Sequence, residues 1–231
     1  MIFGGFQKLT LLDFPGKVAC TLFTIGCNFA CPFCHNSFLV EQNGHQSIDE
    51  EEILSYLKKR QGVLEGVCIS GGEPLLHNEL EDFIVKVKEL GYKVKLDTNG
   101  SFPDKLKKLV KKGLVDYVAM DVKNRLGKYL ETSGIENLDV ESVKESISFL
   151  MTDSVDYEFR TTVVKGLHTV SDILDLSKEI KGAKRYYIQN FVDSGNILGK
   201  GLSPVDEITL IKMKQVALEN ICNTYIRGTD I

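Results

Sequence analysis

Val18-Ala19-Cys20-Thr21-Leu22-Phe23-Thr24-Ile25 is a continuous run of β-branched and apolar residues, and it leads through Gly26 straight into Cys27-Asn28-Phe29-Ala30-Cys31-Pro32-Phe33-Cys34. A run with no polar alternation is the pattern of a strand covered on both faces. Five more such runs follow, at Gly66–Ser70, Lys93–Thr98, Tyr117–Val122, Tyr157–Val164 and Arg185–Phe191. Each is followed by an amphipathic stretch of helical period: Ile48–Arg60, His77–Leu90, Pro103–Lys112, Val140–Met151, Val170–Ile180 and Pro204–Asn220. Ser47 is a candidate cap for the first helix, with Glu50 completing a capping box. Gly91 and Gly113 stand where helices end on a left-handed residue.

Strand and helix alternating in this way imply parallel strands joined by right-handed crossovers. Six units fall short of a complete eight-stranded barrel, which takes about 250 residues. The expected fold class is therefore α/β, a partial (β/α)6 open TIM-like barrel, with a doubly wound sheet as the other arrangement. No linker, internal repeat or low-complexity tract divides the chain, so residues 1–231 read as a single domain. Within it, residues 1–16 form an N-terminal extension, 17–220 the partial barrel core and 221–231 a C-terminal segment. The first 16 residues and Cys222–Gly228 are candidates for peripheral strands.

A hydrophobic content of 43% supplies a core, and a net charge of −4 gives no reason to expect nucleic acid as the partner. No apolar run approaches the roughly 20 residues that span a bilayer, and the N-terminus lacks a signal-peptide pattern. The expectation is a cytoplasmic protein without membrane contact. In that compartment six cysteines point to metal binding or catalysis more than to disulfides. Cys20, Cys68 and Cys222 sit in or beside apolar segments and read as buried thiols.

The remaining three cysteines have the spacing C-x3-C-x2-C, with no fourth nearby. A closed zinc site or an electron-carrying iron–sulfur cluster wants four protein ligands. Three thiolates on a four-iron cluster leave one iron open, which in a catalyst is where substrate binds. Functional residues of parallel α/β folds gather at the carboxyl ends of strands. There the sequence carries the cysteine cluster, Ser70-Gly71-Gly72-Glu73-Pro74, Asp97-Thr98-Asn99-Gly100 and Asp121-Val122-Lys123. Arg160 lies within the fifth strand and Gln189-Asn190 within the sixth. Taken singly, each of these also reads as a turn, a cap or a structural ion pair. His35, His45, His77 and His168 show no metal-ligand spacing; His35 neighbours the cysteine loop, and the other three read as surface or capping residues.

C-x3-C-x2-C with Phe33 before the last cysteine, followed by Gly-Gly-Glu-Pro after the second strand, resembles the radical S-adenosylmethionine (SAM) superfamily. Cys34-His35-Asn36, with the Asp97 and Asp121 segments, is similar to the activating enzymes of glycyl-radical enzymes. The opening Gly5-Phe6-Gln7-Lys8-Leu9-Thr10-Leu11-Leu12-Asp13-Phe14-Pro15-Gly16 most resembles the group called anaerobic ribonucleoside-triphosphate reductase activating proteins.

The resemblance implies that Cys27, Cys31 and Cys34 hold a [4Fe–4S] cluster whose open iron binds SAM. Reductive cleavage of SAM then gives a 5′-deoxyadenosyl radical that abstracts hydrogen from a glycine of the partner. It further implies that Gly71, Gly72 and Glu73 meet the SAM amino group and that Phe33 lies near the adenine. Asp97, Asn99, Asp121 and Lys123 fall beside SAM, the two aspartates at a monovalent-cation or polar site. Arg160 faces the SAM carboxylate or a structural acid. Gln189 or Asn190 reads adenine or ribose, and one of the two must face away because strand side chains alternate.

The implied partners are a glycyl-radical enzyme, anaerobic ribonucleotide reductase first and pyruvate formate-lyase as the alternative, with flavodoxin or ferredoxin as electron donor. A small-molecule enzyme of the 7-carboxy-7-deazaguanine synthase type is the competing catalyst. Those proteins tend to follow the last cysteine with Asp-Thr, where this chain has His35-Asn36. A non-catalytic zinc or iron–sulfur module would need a fourth ligand, for which Cys68 is the nominee.

Overall fold

The computed structural model describes residues 1–40, 47–193, 195 and 197–228. His45 lies outside the described residues. The strands are β1 (Ile2–Thr10), β2 (Ala19–Thr24), β3 (Ile48–Asp49), β4 (Gly66–Gly71), β5 (Lys93–Thr98), β6 (Tyr117–Asp121), β7 (Asp156–Val163), β8 (Tyr186–Asn190) and β9 (Thr224–Arg227). They form one sheet in the order β3-β1-β2-β4-β5-β6-β7-β8-β9. From β2 to β9 every neighbouring pair is parallel, whereas β1 pairs antiparallel with both β2 and β3. Strands β3 and β9 are opposite, unjoined edges, so the sheet is open.

The helices are α1 (Ser37–Val40), α2 (Glu50–Lys59), α3 (Leu80–Glu89), α4 (Pro103–Lys111), α5 (Tyr129–Ser133), α6 (Val140–Leu150), α7 (Val170–Glu179) and α8 (Glu207–Leu218). The six expected strands are therefore present in parallel succession. The first 16 residues supply β1, and the C-terminal segment adds a seventh parallel strand, β9, past the expected core end at 220.

Apolar side chains explain the layering. Val67, Ile69, Val94, Leu96, Val118, Met120, Tyr157 and Phe159 are buried on the face that packs against Phe83, Ile84, Leu106, Val143 and Ile147 of the helices. The opposite face of β4 to β8 is partly polar, bearing Ser70, Lys95, Asp97, Asp121, Glu158, Arg160 and Gln189. Phe14, on the segment between β1 and β2, closes the amino-terminal end of that face against Ala19, Tyr117 and Ala119.

Three local expectations are corrected. Ser47 does not cap α2: β-branched Ile48 and Asp49 pair with β1 as β3, and the helix starts at Glu50 with no side-chain cap at Asp49. Glu50 instead takes the N-terminal ammonium at 2.8 Å and Lys86 at 2.6 Å. Helix α8 begins at Glu207, not near Pro204, because Asp206 accepts the Thr209 N–H at 2.9 Å and caps it there. Cys222 is exposed at the turn before β9, while Cys20 and Cys68 are buried.

Candidate active site

The cysteine loop leaves the carboxyl end of β2 and is fastened on three sides. The Gly26 N–H donates to Leu39 O at 2.7 Å, Ala30 N–H to Ser133 O at 2.9 Å, and Gly199 N–H to Pro32 O at 2.7 Å. Asn99, past the end of β5, holds it from the sheet side, donating to Asn28 Oδ1 at 2.9 Å. So held, Cys27, Cys31 and Cys34 face one cavity of ≈440 Å³, within the 300–1,000 Å³ typical of ligand pockets.

Phe33, Gly71, Gly72, Asp97, Asn99, Asp121, Lys123, Arg160 and Gln189 line the same cavity. So do Asp13, His35, Asn36, Ser70 and Thr162, which were not singled out as ligand-binding residues. None of the six cysteines is joined in a disulfide. Burial pushes the Cys27 thiol up to about 12 and the Cys31 thiol up to about 11, so a bound metal must supply the charge that makes them thiolates.

Gly71 and Gly72 are required by backbone packing. Gly71 has φ +115°, and a Cβ there would lie 2.2 Å from Thr24 N; at Gly72 it would lie 1.9 Å from Gly26 O. The Gly72 N–H donates to Thr24 O at 3.0 Å and Glu73 N–H to Gly26 O at 2.9 Å. The glycine pair thus locks the loop after β4 against the root of the cysteine loop, at positions without space for a side chain.

Glu73, expected at the ligand, does not line the cavity and is fully buried. Its Oε1 accepts from Leu75 N–H at 3.1 Å and Thr98 Oγ1 at 2.8 Å, and its Oε2 from Asn99 N–H at 2.7 Å. Every oxygen is committed to shaping the loop. Burial nevertheless raises its pKa to about 7.

Asp97, Asp121 and Arg160 form the floor. Asp121 stands opposite Arg160 in the β6–β7 register, and Arg160 Nε donates to Asp121 Oδ1 at 2.8 Å while Nη1 reaches Asp97 Oδ2 at 3.2 Å. Lys123 pairs with Asp121 Oδ2 at 3.0 Å. Burial opposes these charges, but the ion pairs outweigh it: Asp97 and Asp121 are held below the usual carboxylate range, and Lys123 and Arg160 above theirs. Lys95, which sequence reading passed over, is buried and paired with Asp97.

Of the polar pair on β8, Gln189 lines the cavity, while Asn190 bonds both Val205 O (2.9 Å) and Val205 N–H (3.1 Å). His35 lines the cavity with its ring 5.7 Å from that of Phe191. His77 bonds Ile25 O at 2.8 Å. His168, expected as a surface or capping residue, is buried and caps the local turn: Nδ1 accepts from Val164 N–H at 3.1 Å, and Nε2 lies 2.8 Å from Lys123 O. Its ring lies edge-on to Phe33, 6.0 Å away. Cys68 does not line the cavity; its Sγ lies beneath, 3.8 Å from Asp97 Oδ1.

Three thiols of one loop on a cavity that contains no fourth cysteine fit a four-iron cluster with one open position. The same cavity presents both carboxylates and cationic side chains, a complement to a zwitterionic ligand.

Residues 21–150 match the model of the radical SAM superfamily. A protein of Methanocaldococcus jannaschii, provisionally named a glycyl-radical enzyme activating enzyme, is 35% identical over 96% of this chain and 94% of its own length. A 7-carboxy-7-deazaguanine synthase of Koribacter versatilis is 34% identical over 58% of this chain and 56% of its own. Among solved structures, Streptococcus suis SuiB bound to S-adenosylmethionine superposes with a TM-score of 0.70 at 15% identity, over 90% of this chain; the chain spans 49% of SuiB. The chain belongs to the radical SAM superfamily and, within it, to the family of glycyl-radical enzyme activating enzymes.

Proposed function

We propose that this chain generates a glycyl radical on anaerobic ribonucleoside-triphosphate reductase in the cytoplasm, with flavodoxin or ferredoxin as electron donor. The observation that carries the reading is the convergence of Cys27, Cys31 and Cys34 on one cavity shared with Asp97, Asp121, Lys123 and Arg160. The relative matched along nearly the whole chain supports the same class; the deazaguanine synthase matches only 58% of it.

Cys27, Cys31 and Cys34 would hold a [4Fe–4S] cluster, and SAM would bind at its open position. When bound, the pair supplies one-electron cleavage of SAM and the carbon radical that removes a glycine hydrogen. The chain's own residues bind, orient and shield. Arg160 and Lys123 would face the SAM carboxylate, the backbone of Gly71 and Gly72 its ammonium, and Phe33 and Gln189 its adenosine. Phe29 and Phe33 supply apolar lining that limits water near a reactive alkyl radical. Hydrogen-atom transfer needs no general acid or base, so the charged residues act through binding and field.

The test is anaerobic reconstitution with iron and sulfide, followed by EPR with and without SAM. A signal that SAM perturbs, then a glycyl-radical doublet on the reductase after addition of reductant, is the expected result. A cluster spectrum indifferent to SAM sinks the cofactor reading, as does a Cys27→Ser, Cys31→Ser or Cys34→Ser variant that still cleaves SAM. SAM cleavage with a doublet on pyruvate formate-lyase alone would correct the partner. Cleavage with no doublet on either partner would turn the assignment toward a small-molecule substrate.

A further inference from the structure

A monovalent cation at Asp97 and Asp121, which the family resemblance implies, does not fit the residues present. Every oxygen of the two carboxylates already accepts from the chain. Asp97 Oδ1 takes Lys95 Nζ and the Cys68 thiol, and Oδ2 takes Ser70 Oγ at 3.1 Å and Arg160 Nη1 at 3.2 Å. Asp121 Oδ1 takes Arg160 Nε at 2.8 Å and Oδ2 takes Lys123 Nζ at 3.0 Å. A cation entering here would displace a donor and meet an ammonium or guanidinium of its own sign.

Lys95 distinguishes this arrangement. Strand spacing of two puts it on the same face of β5 as Asp97, one step toward the amino end, where it is 1% exposed. Its Nζ touches Asp97 and lies 3.7 Å from Cys68 Sγ, and it does not line the cavity that holds Arg160 and Lys123. It therefore neutralises Asp97 from below and takes no space from a ligand above. A free ion's occupancy follows the salt concentration, whereas a tethered ammonium is present in any buffer.

We propose that Lys95 serves as a built-in counter-cation for Asp97, so that this enzyme binds SAM without sodium or potassium. The SAM clause rests on the function proposed above; the ion clause does not.

Two measurements on the full chain separate them. Thallium(I), a potassium stand-in, is titrated in tetramethylammonium nitrate at constant ionic strength and followed by thallium NMR. Wild type should show no saturable, potassium-competable binding, and Lys95→Met should acquire it. SAM affinity of the reconstituted holoenzyme is then compared in tetramethylammonium and potassium salts. Wild type should differ by less than about twofold, while Lys95→Met should lose about tenfold in tetramethylammonium and recover in potassium, the scale of one neighbouring charge. Saturable thallium binding by wild type, or potassium dependence of its SAM affinity, overturns the proposal. If SAM binds in neither salt, the functional reading falls and the thallium titration still decides the ion question. If Lys95→Met does not fold, the wild-type titration decides it alone.

Discussion

Glu73 Oε2 accepts the backbone N–H of Asn99 at 2.7 Å, joining the loop after β4 to the end of β5. The bond is made by a carboxyl group whose pKa burial raises to about 7. Between the ordinary carboxylate value and about 7 the folded chain holds a proton that the unfolded chain has released. Stability from this group is therefore full below the ordinary value and declines as pH rises through about 7. Glu73→Gln cannot titrate, and its unfolding free energy should lack this decline, a difference of about 3 kcal/mol between the two ends of the window. Urea unfolding at pH 4.5 and 7.5 measures it, and identical pH responses in the two proteins would refute the assignment.

The order of strands and helices was legible because the apolar runs are unbroken and strand-end motifs punctuate them. What the sequence concealed depends on register and curvature. Asp121 meets Arg160 only because β6 and β7 pair in that register, and nothing local to either segment specifies the pairing. Lys95 resembles an edge-strand lysine, since its burial comes from the face of the sheet it lies on and from Asp97 two residues ahead. His168 sits in a polar turn whose docking against Lys123 O joins residues 45 apart in sequence. Gly71 and Gly72 were legible as glycines with a purpose, but the contact that demands them is Thr24 and Gly26, not a ligand alone.

Gly72→Ala would drive a methyl group to 1.9 Å from Gly26 O, and the obstacle is backbone at the root of the cysteine loop. The expected cost is roughly 3 kcal/mol, together with loss of iron content after reconstitution, because the loop must move to make room. Gly62→Ala is the control: φ is +80° but the space is open, so it should cost only about 1 kcal/mol and keep the cluster. Equal behaviour of the two variants would show that the contact between the loops after β2 and β4 is unimportant.

Arg160 bridges Asp97 and Asp121. Arg160→Met leaves the two acids facing each other with weaker compensation, and a loss of about 3–5 kcal/mol is expected for breaking a buried ion network from one side. Both carboxyls are held below the usual range, so the stability they contribute is full above that range and is lost as pH falls through the lowered values. Removing the guanidinium should therefore move acid unfolding to higher pH. Arg160→Lys restores charge without the two-pronged geometry and should recover only part of the loss. Circular dichroism along an acid titration reads this directly, and an unshifted acid midpoint in Arg160→Met would contradict the network.

Gln189 and Asn190 are adjacent polar residues with separable duties. Asn190 makes two hydrogen bonds to the Val205 backbone, fixing the segment that precedes α8. Gln189 lines the cavity between the cysteine loop and the floor. Asn190→Ala should thus cost roughly 1–3 kcal/mol of stability, because it leaves buried backbone groups without partners. Gln189→Ala should leave the unfolding midpoint nearly unchanged and weaken SAM binding by about tenfold, the loss of one or two ligand hydrogen bonds. Equilibrium dialysis with the reconstituted protein, paired with urea unfolding of both variants, distinguishes the two. If Gln189→Ala binds SAM as tightly as wild type, the carboxyl end of β8 does not contact the nucleoside.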